Sequence, residues 1–425
     1  MSLRRKCLVA LIAVAALVLM AFCAYVIIHH TIHRNALLRD FDYMVSVIEK
    51  NYPFFGVHQR RSNICVDEVL KSGREVLVSK GIFSLWGFHF HEFLHYEVLS
   101  HIPSHLGGTR MWMREFHLNN IKRFPSGVNN AFSASEQRRL DTLLSPSVNR
   151  AYGDVTVDLE DIYWFEPYPN NLVTRIYADE SIAYLAFSWF PVTNIEYDRQ
   201  TLLDFFMEIT YLHHLVIDLR NNPGGSTLYF PSLVIAPNII ERMYVEVFAF
   251  FSGGAESLSL MNAYVEDMYV INNVMIDVMP ISQMLEAYSL PYFNENDLQW
   301  LDYGYKHVFV VEPAFDDALF DGKIWILTNR ITESAAEQAA IISKYSGFAT
   351  IVGEPTRGST GGLMNYVALP FSGFLLRYAS VLKTDHYGRA FNEFGVIPHF
   401  HIDENEDAFE VVRRMIRAQD SNLNE

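Results

Sequence analysis

Cysteine is nearly missing from this sequence: there are three in 425 residues, and two of them, Cys7 and Cys23, sit inside one apolar run. Only Cys65 is left for the remainder, which excludes an internal disulfide framework and a cysteine-held metal cluster. Basic surplus is missing too. Thirty-three Lys and Arg face 49 Asp and Glu, giving a formal net charge of −16 with no basic patch to offset it. Nucleic acid is thereby excluded as a partner. No internal repeat or low-complexity tract interrupts the chain. Of the 16 histidines, His89, His91, His95 and His101 cluster in sequence, but none has a carboxylate at the His-Glu-x-x-His spacing of a zinc site. They read as surface or packed imidazoles, and no metal or organic cofactor is called for.

Half the residues are apolar and 14% are aromatic, enough for a substantial core and against disorder over most of the length. The first long apolar run extends from Cys7 to Ile28, 22 residues, which as a helix spans a bilayer. A cleaved signal has a shorter apolar region and small residues at its cleavage site; at Met20-Ala21-Phe22-Cys23, Phe22 stands where a small residue is wanted. The run therefore reads as an uncleaved anchor. Arg4, Arg5 and Lys6 before it place the N-terminus in the cytoplasm and the rest of the chain outside.

After a basic linker from His29 to Arg39, Phe41, Met44, Val45 and Ile48 recur at helical spacing, with Asp40 as cap and Pro53 as stop. A second helix is predicted over Val66 to Val78. The turn Ile102-Pro103-Ser104-His105-Leu106-Gly107-Gly108 leads into a strand through Met111-Trp112-Met113, and a helix follows over Ser135 to Leu144. The resulting division is 1–35 for tip, anchor and linker, 36–115 for a helical region, and 116–175 for a poorly defined connection. From 176 to 425 the chain reads as an α/β core with an insertion at about 236–320. Strands over Ser181–Phe187, Leu215–Leu219, Lys323–Thr328 and Ala349–Val352 alternate with helices over Arg199–Tyr211, Leu228–Ile235 and Ser334–Tyr345. That alternation predicts a mainly parallel sheet. The aromatic, Met-rich insertion suggests a lid.

Two segments carry chemistry. The strand Leu215–Leu219 ends in Arg220-Asn221-Asn222-Pro223-Gly224-Gly225, a sharp turn whose backbone N–H groups a ligand can approach closely. It is either a plain connection or a nest for a developing oxyanion. Downstream, Ser334 opens a helix of small residues. It is either a helix cap, boxed with Glu337 three residues on, or a nucleophile at a positive helix end.

Together, Asp-Leu-Arg-Asn-Asn-Pro-Gly-Gly and Leu-Thr-Asn-x-x-Thr-x-Ser-Ala-Ala-Glu resemble the C-terminal-processing (tail-specific) and tricorn-type serine peptidase family. Ile351-Val352-Gly353-Glu354-Pro355-Thr356-Arg357-Gly358 and Gly395-Val396-Ile397-Pro398 resemble its later elements. Asp40–Tyr43 and Asn51–Phe55 are similar to the helical lead-in of bacterial members. The resemblance covers about 180 to 403 well and 40 to 110 loosely. It implies a crotonase/ClpP-like α/β core behind a helical N-terminal region and a transmembrane helix. The expected activity is that of a membrane-anchored serine endopeptidase acting on peptide or protein substrates, with a non-catalytic peptide-binding relative as the alternative.

Carried over by motif, the resemblance implies Ser334 as nucleophile, with Gly224 or Gly225 and the N–H of Ala335 as oxyanion hole. Ser359 stands where the processing peptidases carry a catalytic lysine, while Lys344 and Lys383 lie outside the motif and read as surface charges. The chain is thus closer to the tricorn-like branch, whose Ser–His–Ser–Glu tetrad maps onto Ser334, His105, Ser104 and Glu393. His101, His386 and His399 are rivals for the base, and Glu337 is expected to orient rather than react.

Overall fold

The computed structural model describes residues 3–80, 89–102, 106–123, 131–153, 167–360, 362–403 and 405–423. Its first element is one helix, Leu3–Asn51. The expected break into span, linker and capped helix is absent. Asp40 does not cap; it is buried, and its carboxylate accepts the backbone N–H groups of Phe371 and Ser372 at 3.0 and 2.6 Å. Leu11, Leu17 and Phe22 are each more than 60% exposed, whereas Leu37, Phe41, Met44 and Ile48 are buried at helical spacing. One helix is thus exposed over its apolar first part and buried over its last turns, and among the described residues it alone is long and apolar enough to cross a membrane.

Among the described residues, thirteen strands form three sheets. The largest runs β13 (Phe400–His401), β9 (Thr350–Gly353), β8 (Lys323–Thr328), β4 (His214–Asp218), β3 (Ile182–Phe187), β2 (Leu172–Tyr177). All its pairs are parallel except β2 with β3. The expected parallel sheet is present, because β4 and β8 are apolar on both faces (every residue of β4 is buried) and helices cover them. The helices Asn194–Glu208 and Ala335–Tyr345 share one core cluster with β3, β4 and β8. The Leu228–Ile235 stretch closes instead as a π turn over Pro231–Ile235 followed by a 3₁₀ turn.

The segment 236–320 is not a loose insertion. It supplies β5 (Met243–Phe251), β6 (Met279–Pro280) and β7 (Tyr303–Val311), joined by β12 (Leu382–Thr384) in a sheet ordered β12-β5-β7-β6, with the helix Ala255–Asn272 packed on it. A third sheet is built of β1 (Leu106–Gly108), β11 (Leu375–Ala379) and β10 (Met364–Ala368), so the end of the stretch that the sequence suggested as a turn is a strand. The strand thus comes earlier than the pattern suggested, and Met111–Arg123 is a helix. Helices at Val66–Ser79 and Ala134–Leu143 match expectation, the latter with Ser133 and Glu136 forming a full capping box.

Candidate active site

Parallel strands β4 and β8 are neighbours, with Asp218 level with Leu327, so the two segments singled out in the sequence leave the same sheet edge side by side. In open α/β sheets the crevice beyond the carboxyl ends of the strands is where ligands bind. Both loops are pinned before they reach it. Asp218 accepts the Arg220 guanidinium and the Tyr184 hydroxyl, which fixes the strand end. Asn221 and Asn329 clasp each other across the loops at 3.0 and 3.1 Å, and the Thr332 hydroxyl donates to the Leu219 carbonyl at 2.8 Å.

Buried Asn222 organises the glycine turn. Its side-chain oxygen accepts the Gly224 N–H at 2.8 Å, its amide donates to Phe187, and its carbonyl accepts the Glu333 N–H. Gly224 and Gly225 have φ of +91° and +131°. A Cβ on Gly225 would lie 2.1 Å from the Phe190 carbonyl, and one on Gly224 would lie 2.8 Å from the Ser334 Cβ. Only glycine fits either place. The Gly224 N–H is taken by Asn222. The N–H groups of Gly225 and Ala335 have no acceptor among the described residues.

Ser334 sits at φ 55°, ψ −120°, a strained conformation for a residue with a side chain. The cap alternative is not what the geometry supports. Ser334 makes no side-chain cap hydrogen bond, and Glu337 turns away from it. Fully buried, Glu337 accepts the Thr356 hydroxyl at 2.7 Å and the N–H groups of Gly358 and Ser359 at 3.1 and 2.7 Å. Burial, against these donors, pushes its carboxyl up to about 7. Ser359, at the place of the missing lysine, accepts the Ser334 N–H through its carbonyl at 3.2 Å. A strained serine at the sheet edge, beside two N–H donors without acceptors, can perform acyl transfer.

These groups open into a cleft of about 1490 Å³ lined by Gly225, Ser334, Ser359 and Arg357. Ser104 and His105 lie outside the described residues. Leu106 begins β1 immediately after them, and Gly107 pairs with Arg377, which lines the cleft. Glu393 is held away from the lining, its carboxylate gripped by Arg60, which also binds Asp297 at 2.8 Å. Neighbouring Arg61 spans from Gly358 to Asn392 and ties this corner to the serine-bearing segment.

The rival histidines His101, His386 and His399 do not line the cleft. Three others do, and each faces a tyrosine hydroxyl: His58 with Tyr52, His117 with Tyr366, and His307 with Tyr264. Burial holds all three low, His58 at about 4, His117 at about 3 and His307 well below its ordinary value. Sequence spacing gives no sign of these pairs. Lys383 corrects the surface assignment: it is buried, on the cleft wall.

The sequence pattern of peptidase family S41 matches residues 181–402, just over half the chain and nearly the stretch over which the resemblance was read. Fold and match define a hydrolase of the serine peptidase class, with a mixed α/β core behind a helical N-terminal region. The chain belongs to peptidase family S41. No curated protein matches it. Similar solved structures include a putative peptidase from Parabacteroides merdae, at 16% identity over 90% of this chain and 95% of that one, with a TM-score of 0.49. A lipoprotein from Streptococcus agalactiae aligns at 12% identity over 90% and 96%, with a TM-score of 0.47. The photosystem II D1 C-terminal processing protease aligns at 19% identity over 55% and 46%, with a TM-score of 0.34.

Proposed function

We propose that this serine peptidase is a membrane-anchored endopeptidase that cleaves peptide bonds outside the cytoplasm through an acyl-enzyme on Ser334. The Ser334 hydroxyl attacks the scissile carbonyl and gives its proton to His105. The tetrahedral oxyanion is held by the N–H groups of Gly225 and Ala335. His105 then protonates the leaving amine, and a water that it deprotonates releases the acyl group. Ser104 orients the base, and Glu393, gripped by Arg60 outside the cleft lining, acts on it through the corner that Arg61 ties to the serine-bearing segment. Gly224 serves the turn rather than the oxyanion, since its N–H is already bound by Asn222.

The observation that carries the reading is Ser334 at φ 55° between two N–H groups that no described residue accepts. Strain of this kind costs about 1–3 kcal/mol and persists only where surrounding structure imposes it. Support for His105 is its place two residues before Gly107, whose partner Arg377 lines the cleft. Support for anchoring and sidedness is the exposed apolar run of the first helix, preceded by Arg4, Arg5 and Lys6.

A serine-reactive fluorophosphonate probe tests the chemistry. Labelling of the native protein, absent in Ser334→Ala and slowed at least ~10²-fold in His105→Ala, is the expected result. No labelling of folded native protein overturns it. Protease protection of the domain in sealed membrane vesicles of known orientation tests the sidedness.

A further inference from the structure

The cleft wall also holds a buried lysine that the reaction above does not use. Lys383 on β12 is 5% exposed and pairs with Ala249 of β5, while His307 on β7 pairs with Val247 of the same strand. Positions 247 and 249 share a face of the strand, so the two side chains emerge together on the cleft side of the sheet. Lys383 Nζ lies 3.2 Å from His307 Nε2 and 5.1 Å from the centre of the Phe309 ring. On the far side, His307 Nδ1 meets the Tyr264 hydroxyl at 3.1 Å, with the rings stacked.

Bond counting shows what is missing. An ammonium has three N–H donors, and Nε2 accepts one. Among the described residues the Lys383 amine meets His307 Nε2 and no carboxylate, and no described acceptor takes its other two N–H groups. A buried charge without a counter-ion is costly, and a carboxylate accepting two N–H donors removes that cost. His307 cannot be the counter-ion, because an imidazole is neutral or positive; burial and then the Lys383 charge keep this one neutral, so that it can accept a hydrogen bond but supply no negative charge.

The position suits a peptide bound at Ser334, because Lys383 and His307 line the same cleft as Ser334 and as Gln338 and Ile342 of the serine helix.

We propose that Lys383, backed by His307, is a subsite that binds a carboxylate of a peptide lying in this cleft. The carboxylate is either an Asp or Glu side chain or the terminal carboxylate of the peptide. That the bound peptide is a substrate rests on Ser334 as nucleophile; the carboxylate preference itself does not.

The test measures binding rather than turnover. Full-length Ser334→Ala protein in detergent is titrated with fluorophore-labelled twelve-residue peptide libraries in matched pairs, internal Glu against Gln and free C-terminus against amide. The expected result is at least tenfold tighter binding of the carboxylate member of one pair, falling to within twofold when Lys383→Met is added. The pair that discriminates identifies the source of the carboxylate. Equal binding within both pairs, preference retained in Lys383→Met, or no peptide binding by folded protein overturns the subsite. Because Lys383→Met could disturb the sheet, Lys383→Arg, which keeps the charge, must retain the preference. Fluorophosphonate labelling of the native protein, run in parallel, distinguishes failure of the subsite from failure of the Ser334 reading.

Discussion

Glu337 Oε2 accepts the Ser359 N–H at 2.7 Å, and the Ser359 carbonyl accepts the Ser334 N–H at 3.2 Å. A buried carboxyl one turn into the helix thus holds the proposed nucleophile's backbone through the residue that replaces the family's lysine. Glu337→Gln puts an amide donor where N–H and O–H donors converge, leaving at least one of them unsatisfied at a cost of about 1–3 kcal/mol. The expected outcome is fluorophosphonate labelling slowed at least ~10-fold, with a lowered melting temperature. Labelling at the native rate removes Glu337 from this role.

Gly225 tests the oxyanion turn. With φ at +131° and the Phe190 carbonyl in the place of its Cβ, Gly225→Ala must displace the N–H that faces the cleft. Loss of one oxyanion donor costs ~10²–10³ in rate. The expected loss of labelling is of that size. A variant that labels within threefold of native, with an intact melt, contradicts the assignment.

Lys383 makes stability depend on pH in a window that can be checked. Burial lowers its pKa to about 7 from an ordinary 10.5. Between those values the unfolded chain holds a proton that the native chain does not, so stability rises with pH across the window. The contribution is fully present above about 10.5 and is lost as pH falls through about 7. His307 and Tyr264, the titratable partners of this group, stay neutral across most of the window, His307 through burial and the Lys383 charge, Tyr264 through burial. The melting-temperature advantage of native protein over Lys383→Met should grow from pH 7 to pH 10. An advantage that shrinks over this range contradicts the burial-driven shift.

The Arg60 corner separates anchoring from catalysis. Arg60→Met strands Asp297 and Glu393, and Asp297 is buried, so a loss on the order of 3 kcal/mol is expected in denaturant unfolding. Glu393→Gln keeps part of the contact. If Glu393 orients the base as proposed, this variant labels ~10-fold more slowly while losing less stability than Arg60→Met. The reverse order makes Glu393 an anchor only.

The parallel core was legible because β4 and β8 are short apolar runs ending in unmistakable turns, and their flanking helices carry clear periods. The placing of Ser334 and the glycine pair beside each other was legible for the same reason, each following such a strand. The φ of Ser334 could not be read, because its N–H is held by the Ser359 carbonyl and that of Glu333 by the Asn222 carbonyl, both remote in sequence. Nor could the capture of the Gly224 N–H by the Asn222 side chain. The misplacement of the strand at 111–113 came from reading apolar residues without their partner: β1 exists because β11, some 270 residues later, offers it an edge. Lys383 reads as a surface charge because it lies outside the motif, and the strands and the helix Ala255–Asn272 that enclose it are remote in sequence. The second sheet was hidden similarly, its four strands coming from two distant stretches.

In the proposed topology the first helix has one more consequence. It continues from the apolar run into the folded body without a break, and its first buried residue after that run is Ala36, eight residues past Ile28. Eight helical residues measure about 12 Å. A flexible tether would let the enzyme sweep a wide volume; a rod whose final turns belong to the core fixes its height and bearing above the lipid. Such an enzyme samples only a shallow layer beside the bilayer, and the chains within its reach are those whose cleavage points are presented at that height.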